Sequence, residues 1–150
     1  MKIRLDVSDA LAEELRDRLE AAGFEIDDDA ELILSRKSFS AAFLRGRDED
    51  GQSVHVAVEE IVYVESMGHD VWVHTDAGER WRCGDRLWQI EKSLSPAEFL
   101  RVSNSAIVRR DKIRRIRSAL SQKFLLTLSD GTAVDVTRSY YYAFKEAMGI

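Results

Sequence analysis

The chain has 150 residues, 45% of them hydrophobic, a single cysteine and a formal net charge of -5. That is enough for one full domain with a small appendage and an ordinary buried core. It excludes an intramolecular disulfide and a cysteine-based zinc site, and the apolar runs are too short to span a bilayer. The N-terminal "MKIRLDVSDA" has no apolar h-region and no small-residue cleavage site, so a cytoplasmic protein is expected.

In chain order, the first 45 residues predict a small β-α-β unit. Ile3, Leu5 and Val7 alternate with polar residues as in a strand. Ser8 or Asp9 suits a helix cap, Leu11, Leu15 and Leu19 share a helical face, and Gly23 is a stop. "AELILSR" (Ala30–Arg36) reads as a second strand. Asp27, Asp28 and Asp29 read as a solvated acidic loop, because about fifty residues are too few for a receiver-type phosphoacceptor domain.

From residue 46 to 150 the pattern is mainly β with short helices. Val54, Val56 and Val58 alternate; "EEIVYVES" (Glu59–Ser66) and "HDVWVHT" (His69–Thr75) follow as strands. "TDAGE" offers a turn into "RWRC" (Arg80–Cys83), where Cys83 reads as a small apolar strand residue. Asp85 suits the cap of a helix carrying Leu87, Ile90 and Leu94, and "SPAE" (Ser95–Glu98) a short helical turn. "FLRVSNSAIV" (Phe99–Val108) is strand, polar break, strand. "KFLLTL" and "AVDV" flank Asp130-Gly131 as a hairpin. A last helix holds Tyr140, Ala143, Phe144 and Ala147 on one face and stops at Gly149.

No phosphate loop, nucleophile elbow or dinucleotide fingerprint occurs. His69 and His74 are five apart and point to opposite faces of a strand, so they cannot share a metal. Neither an enzyme nor a cofactor or metal is expected.

Charge is uneven. Residues 99–150 carry 10 basic and 4 acidic side chains, net +6, whereas residues 1–50 are net -6 and residues 51–98 net -5. Seven basic residues crowd "RVSNSAIVRRDKIRRIR" (Arg101–Arg117) against one acid, Asp111. The break Ser103-Asn104-Ser105 offers small hydrogen-bonding side chains, and asparagine suits a bidentate contact with adenine. The flanking Arg101, Arg109, Arg110, Lys112 and Arg114 would neutralise phosphates and set register. Arg138 in "VTRSY" and the loop "SMGHD" (Ser66–Asp70) add two more polar strand ends.

The order of "EEIVYVES", "LWQIEKSL", "FLRVSNSAIVRRDKI", "LLTLSDGTAVDVTRSY" and "YYAFKEAMG" resembles the LytTR DNA-binding domain family over about two thirds of the chain. The resemblance implies an elongated, mostly antiparallel β fold that places loops in successive major grooves of promoter direct repeats, commonly as two protomers, with DNA bending. It implies base contacts by Asn104 and Arg138 and, more loosely, His69, with Ser103 and Ser105 in the contacting loop. Many members carry His where Ser103 stands, though stand-alone members often have Ser, and Asn is usual where Arg109 stands; an arginine there would add a phosphate contact or alter a structural hydrogen bond. Residues 1–45, with no receiver, resemble stand-alone members, and would serve as a dimerisation or regulatory segment. A membrane-located regulator of activity is a further implication of that resemblance alone. The alternative is a β-rich protein-interaction or ligand-sensing domain that has lost DNA binding, which the overall acidity and Arg109 favour.

Overall fold

The structure, a computed structural model, describes residues 1–35 and 41–150. The chain forms two compact units, Met1–Ser38 and Phe39–Ile150. The division expected between residues 45 and 46 instead falls inside a strand of the second unit.

The first unit is a three-stranded parallel sheet with one helix. Strand β1 (Lys2–Asp6) lies between β2 (Glu25–Ile26) and β3 (Ile33–Ser35). Helix α1 (Asp9–Ala21) connects β1 to β2, and the chain turns out of it at Gly23, where φ is 94°. The expected strand Ala30–Arg36 is thus shorter, with Arg36 outside the described residues, and the two-residue β2 is an addition. The acidic loop does local work. Asp27 accepts from Lys2 at 2.7 Å and from the backbone N–H of Asp29 at 3.0 Å. Those bonds hold its carboxyl below the usual carboxylate range.

The second unit is built on a seven-stranded antiparallel sheet in the order β5-β4-β8-β7-β6-β10-β9. Its strands are β4 (Phe43–Arg47), β5 (Ser53–Ala57), β6 (Ile61–Met67), β7 (Asp70–Thr75), β8 (Arg80–Cys83), β9 (Phe99–Ser103) and β10 (Ala106–Arg109). Strands β11 (Ile113–Ala119), β12 (Lys123–Leu128) and β13 (Ala133–Val136) form a second sheet.

Alternation along the strands gives the large sheet two apolar faces. Leu44, Val56, Ile61, Val64, Val73, Phe99 and Ile107 pack with Leu87, Ile90 and Leu94 from around α2 (Leu87–Ser93). On the opposite face Val62, Val102 and Val108 pack with Phe124, Leu126 and Val136 of the second sheet and Phe144 of α3 (Tyr141–Met148). Two cores back to back on one sheet are what fix its edges and hence its loops.

Local chemistry sets the ends. Asp130 accepts from the N–H of Thr132 at 2.9 Å and Gly131 takes φ 86°, closing the β12–β13 hairpin. Gly149, at φ 68°, ends α3. Asp85 is not the cap of α2. The cap position is Arg86, whose N–H donates to Gln89 Oε1 at 2.9 Å. Ser95 Oγ accepts from the N–H of Ala97 at 3.3 Å, and "SPAE" is a single turn. Cys83 is buried; that burial, together with the negative charge of Asp85, pushes its thiol up to about 11, leaving it inert near neutrality.

Candidate nucleic-acid interface

Antiparallel pairing brings three chain segments together. β6 turns into β7 through the two residues Gly68 and His69, with φ 61° at Gly68. β10 pairs with β6 so that Ala106 faces Glu65, and the N–H of Ser66 donates to the carbonyl of Ser105 at 2.8 Å. The β9–β10 turn therefore lies beside the β6–β7 turn. His69 and Asn104 line one cleft of about 450 Å³, together with Arg86 and Trp88.

The third segment follows β13. The N–H of Thr137 donates to the carbonyl of Val102 at 3.0 Å, and a helical turn then runs over Arg138–Tyr140. Tyr140 Oη donates to Asn104 Oδ1 at 3.1 Å. Arg138 thus starts a turn whose last residue is tied to the side chain of Asn104. His69, Asn104 and Arg138 are all exposed.

The loop holding Asn104 is braced from behind. Arg101 donates from Nε to the carbonyl of Ser103 at 2.6 Å and from Nη2 to the carbonyl of Asn104 at 2.9 Å. Its Nη1 pairs with Glu91 of α2 at 2.6 Å. Ser103 Oγ accepts from the N–H of Ser105 at 3.1 Å and lies 3.3 Å from Ser105 Oγ. Arg101 and Ser103 therefore hold the loop's backbone in shape, and Ser105, though exposed, does the same. A polar side chain fixed in this way loses less entropy on contact with a ligand.

The basic residues downstream divide. Arg109 is 6% exposed and is not available to a phosphate. Its Nε donates to the carbonyl of Ile61 at 2.6 Å, its Nη2 donates to the carbonyl of Val58, and its guanidinium lies 4.5 Å from the ring centroid of Phe99. The expectation of a surface contact by Arg109 is corrected by this burial, and its side chain makes structural hydrogen bonds instead. Arg110 is exposed but donates to the carbonyl of Ala147, one of the free carbonyls ending α3. Lys112 is half-buried and Arg114 is exposed. Tyr140 enters the sequence reading only as a residue on the face of the last helix, and Glu91 does not enter it, since only the fold shows that they reach the Asn104 loop.

Comparison with known proteins adds the decisive observation. The LytTr DNA-binding domain family matches residues 51–149. The chain belongs to the LytTR family. Among curated relatives, "Sensory transduction protein LytT" of Bacillus anthracis is 33% identical over 97 residues, 65% of this chain and 39% of that protein. LytT of Bacillus subtilis is 28% identical over 101 residues, 67% of this chain and 42% of that protein. "Transcriptional regulatory protein LytR" of Staphylococcus aureus is 22% identical over 107 residues, 66% of this chain and 44% of that protein. The chain thus spans about two fifths of the length of these relatives. A LytTr DNA-binding domain from Bacillus cereus superposes with a TM-score of 0.69 at 23% identity, covering 74% of this chain and all of that one, which establishes a LytTR-type β-rich fold. This is a family of DNA-binding domains rather than a class of enzyme. Among the described residues no helix is long and apolar enough to cross a membrane.

Proposed function

We propose that this LytTR domain is a transcriptional regulator that reads double-stranded DNA in a sequence-specific manner. Its loops enter the major groove of repeated promoter sites, with two protomers on neighbouring repeats. The observation that carries this reading is the convergence of Asn104 and the Arg138 turn through the Tyr140 bond, beside His69 in the same cleft as Asn104. Asparagine and arginine each present a planar pair of hydrogen-bonding atoms, which match adenine and guanine edges in the major groove. His69 would add a third contact, and Arg101, Ser103 and Ser105 act by holding Asn104 in place. Of the phosphate contacts expected downstream, Lys112 and Arg114 are kept in this reading, while Arg110 also closes α3. The rival, an interaction domain without DNA binding, loses one of its supports, because Arg109 serves the core.

The test is competition between a specific duplex and a library mutated at each base. Arg138→Ala and Asn104→Ala should each weaken the specific site by about 1–3 kcal/mol, with preference relaxed at different base positions. Non-specific affinity should fall much less. If both variants stay folded and keep the full preference at every position, these residues are scaffold.

A further inference from the structure

Two arginines of the basic run, Arg115 and Arg117, are left without a role, and they share a strand with Arg114. Arg114, Arg115 and Arg117 lie on β11, all exposed. The register shift between Ile113 and Arg115 makes Arg114 the extra residue of a bulge. That bulge lets Ile113 and Ile116, three apart, both pack against the core. Beyond it the alternation is regular. Ile116, Phe124, Leu126 and Val136 face inward, so Arg115, Arg117 and Lys123 share the outer face.

The pairing gives this face a direction. Arg115 lies opposite Thr127 and Arg117 opposite Leu125, which is in turn opposite Asp135. Lys123 lies opposite Ala119, and its neighbour Phe124 pairs with Val136, two residues before Arg138. The cationic row therefore runs toward the Arg138 turn. At the same end the hairpin tip is anchored, with Gln122 Nε2 donating to Tyr142 Oη at 2.8 Å. The tip is held in an uncommon form, with Ser121 at φ 65° and Gln122 at φ 56° although neither is glycine. Among the described residues no ion pair engages Arg114, Arg115, Arg117 or Lys123. Asp135 is the one acid on this outer face, so the patch is strongly positive.

We infer that the outer face of the β11–β12–β13 sheet is a second DNA-contacting surface. Arg115, Arg117 and Lys123 hold the phosphodiester backbone of the duplex beyond the base pairs met by Arg138. The inference rests on the reading under Proposed function and extends it to flanking DNA. Its grounds are charge complementarity and continuity with the Arg138 turn. Contacts of this kind add affinity and register without adding sequence preference.

The experiment uses the full chain and one specific site in duplexes that end flush with it or extend a helical turn to one side or the other. The wild type should gain affinity from extension on one side only. Arg117→Gln with Lys123→Gln should remove that gain and lower the salt slope by about 2 on the extended duplex, with base preference unchanged. Both positions are exposed, and far-UV and melting curves check folding; should the double variant melt early, Lys123→Gln alone should lower the slope by about 1. A wild-type slope in the folded variant on extended DNA overturns the inference and leaves the loop reading intact. Loss confined to duplexes with two repeats also overturns it, because the face would then meet a second copy of the chain. A wild type with no base preference anywhere would sink the loop reading instead, and the slope on non-specific duplex would still decide this face.

Discussion

Arg109 and Arg117 are eight residues apart in one basic run, yet one is enclosed by carbonyls and an aromatic ring and the other is exposed. Arg109→Ala would leave the carbonyls of Val58 and Ile61 without these donors. The expected cost is about 1–3 kcal/mol of stability, read as an earlier midpoint in urea unfolding. The DNA salt slope of the folded variant should stay as in the wild type. A slope lower by about 1 with an unchanged midpoint would contradict the structural role. At this scale the sequence was informative about exposed polar residues and silent about burial. Asn104, Arg138 and His69 stand at strand ends, which alternation reveals. Arg101, Ser103 and Arg109 look like their exposed neighbours, and only the packing of distant strands sets them apart.

Among the elements, β4, like β2 and β11, leaves no usable pattern. Its residues "FLRGR" put Leu44 and Gly46 inward and Phe43, Arg45 and Arg47 outward, so the buried face reads as one leucine and one glycine. Glycine is poor in strands, and its presence argues against one. The structure supplies the reason for it. A Cβ on Gly46 would come within 2.8 Å of Trp81 Cβ and 3.3 Å of Val56 Cγ2. Gly46→Ala should therefore destabilise the second unit by about 1–3 kcal/mol, the usual cost of overpacking, visible in thermal melting. Melting at the wild-type temperature would mean that β4 can shift away from β8 freely. By contrast β6, β7, β12 and β13 were legible, because Val, Ile and Leu alternate and the turns carry Gly. The cap of α2 was misplaced by one residue, since Asp85 has the better capping side chain but Gln89 bonds to Arg86.

For the whole molecule, the net charge is a property of one unit. Residues 1–38 hold 6 basic and 11 acidic side chains, net -5, and residues 39–150 hold 16 of each sign. The LytTR unit is therefore neutral overall, yet Arg114, Arg115, Arg117 and Lys123 stand exposed together on the second sheet, with Asp135 as the one acid on its outer face. Such a surface favours DNA in one orientation and gains little from non-specific attraction. The central claim is that the loops bearing His69, Asn104 and Arg138 read bases. Selection of bound duplexes from a random-sequence pool by the wild-type chain tests it most directly. The account predicts enrichment of a repeated motif, with the repeats spaced by about one helical turn, or a multiple of it. Recovery of a pool no different in sequence from the input, from protein that binds duplex DNA, would contradict it.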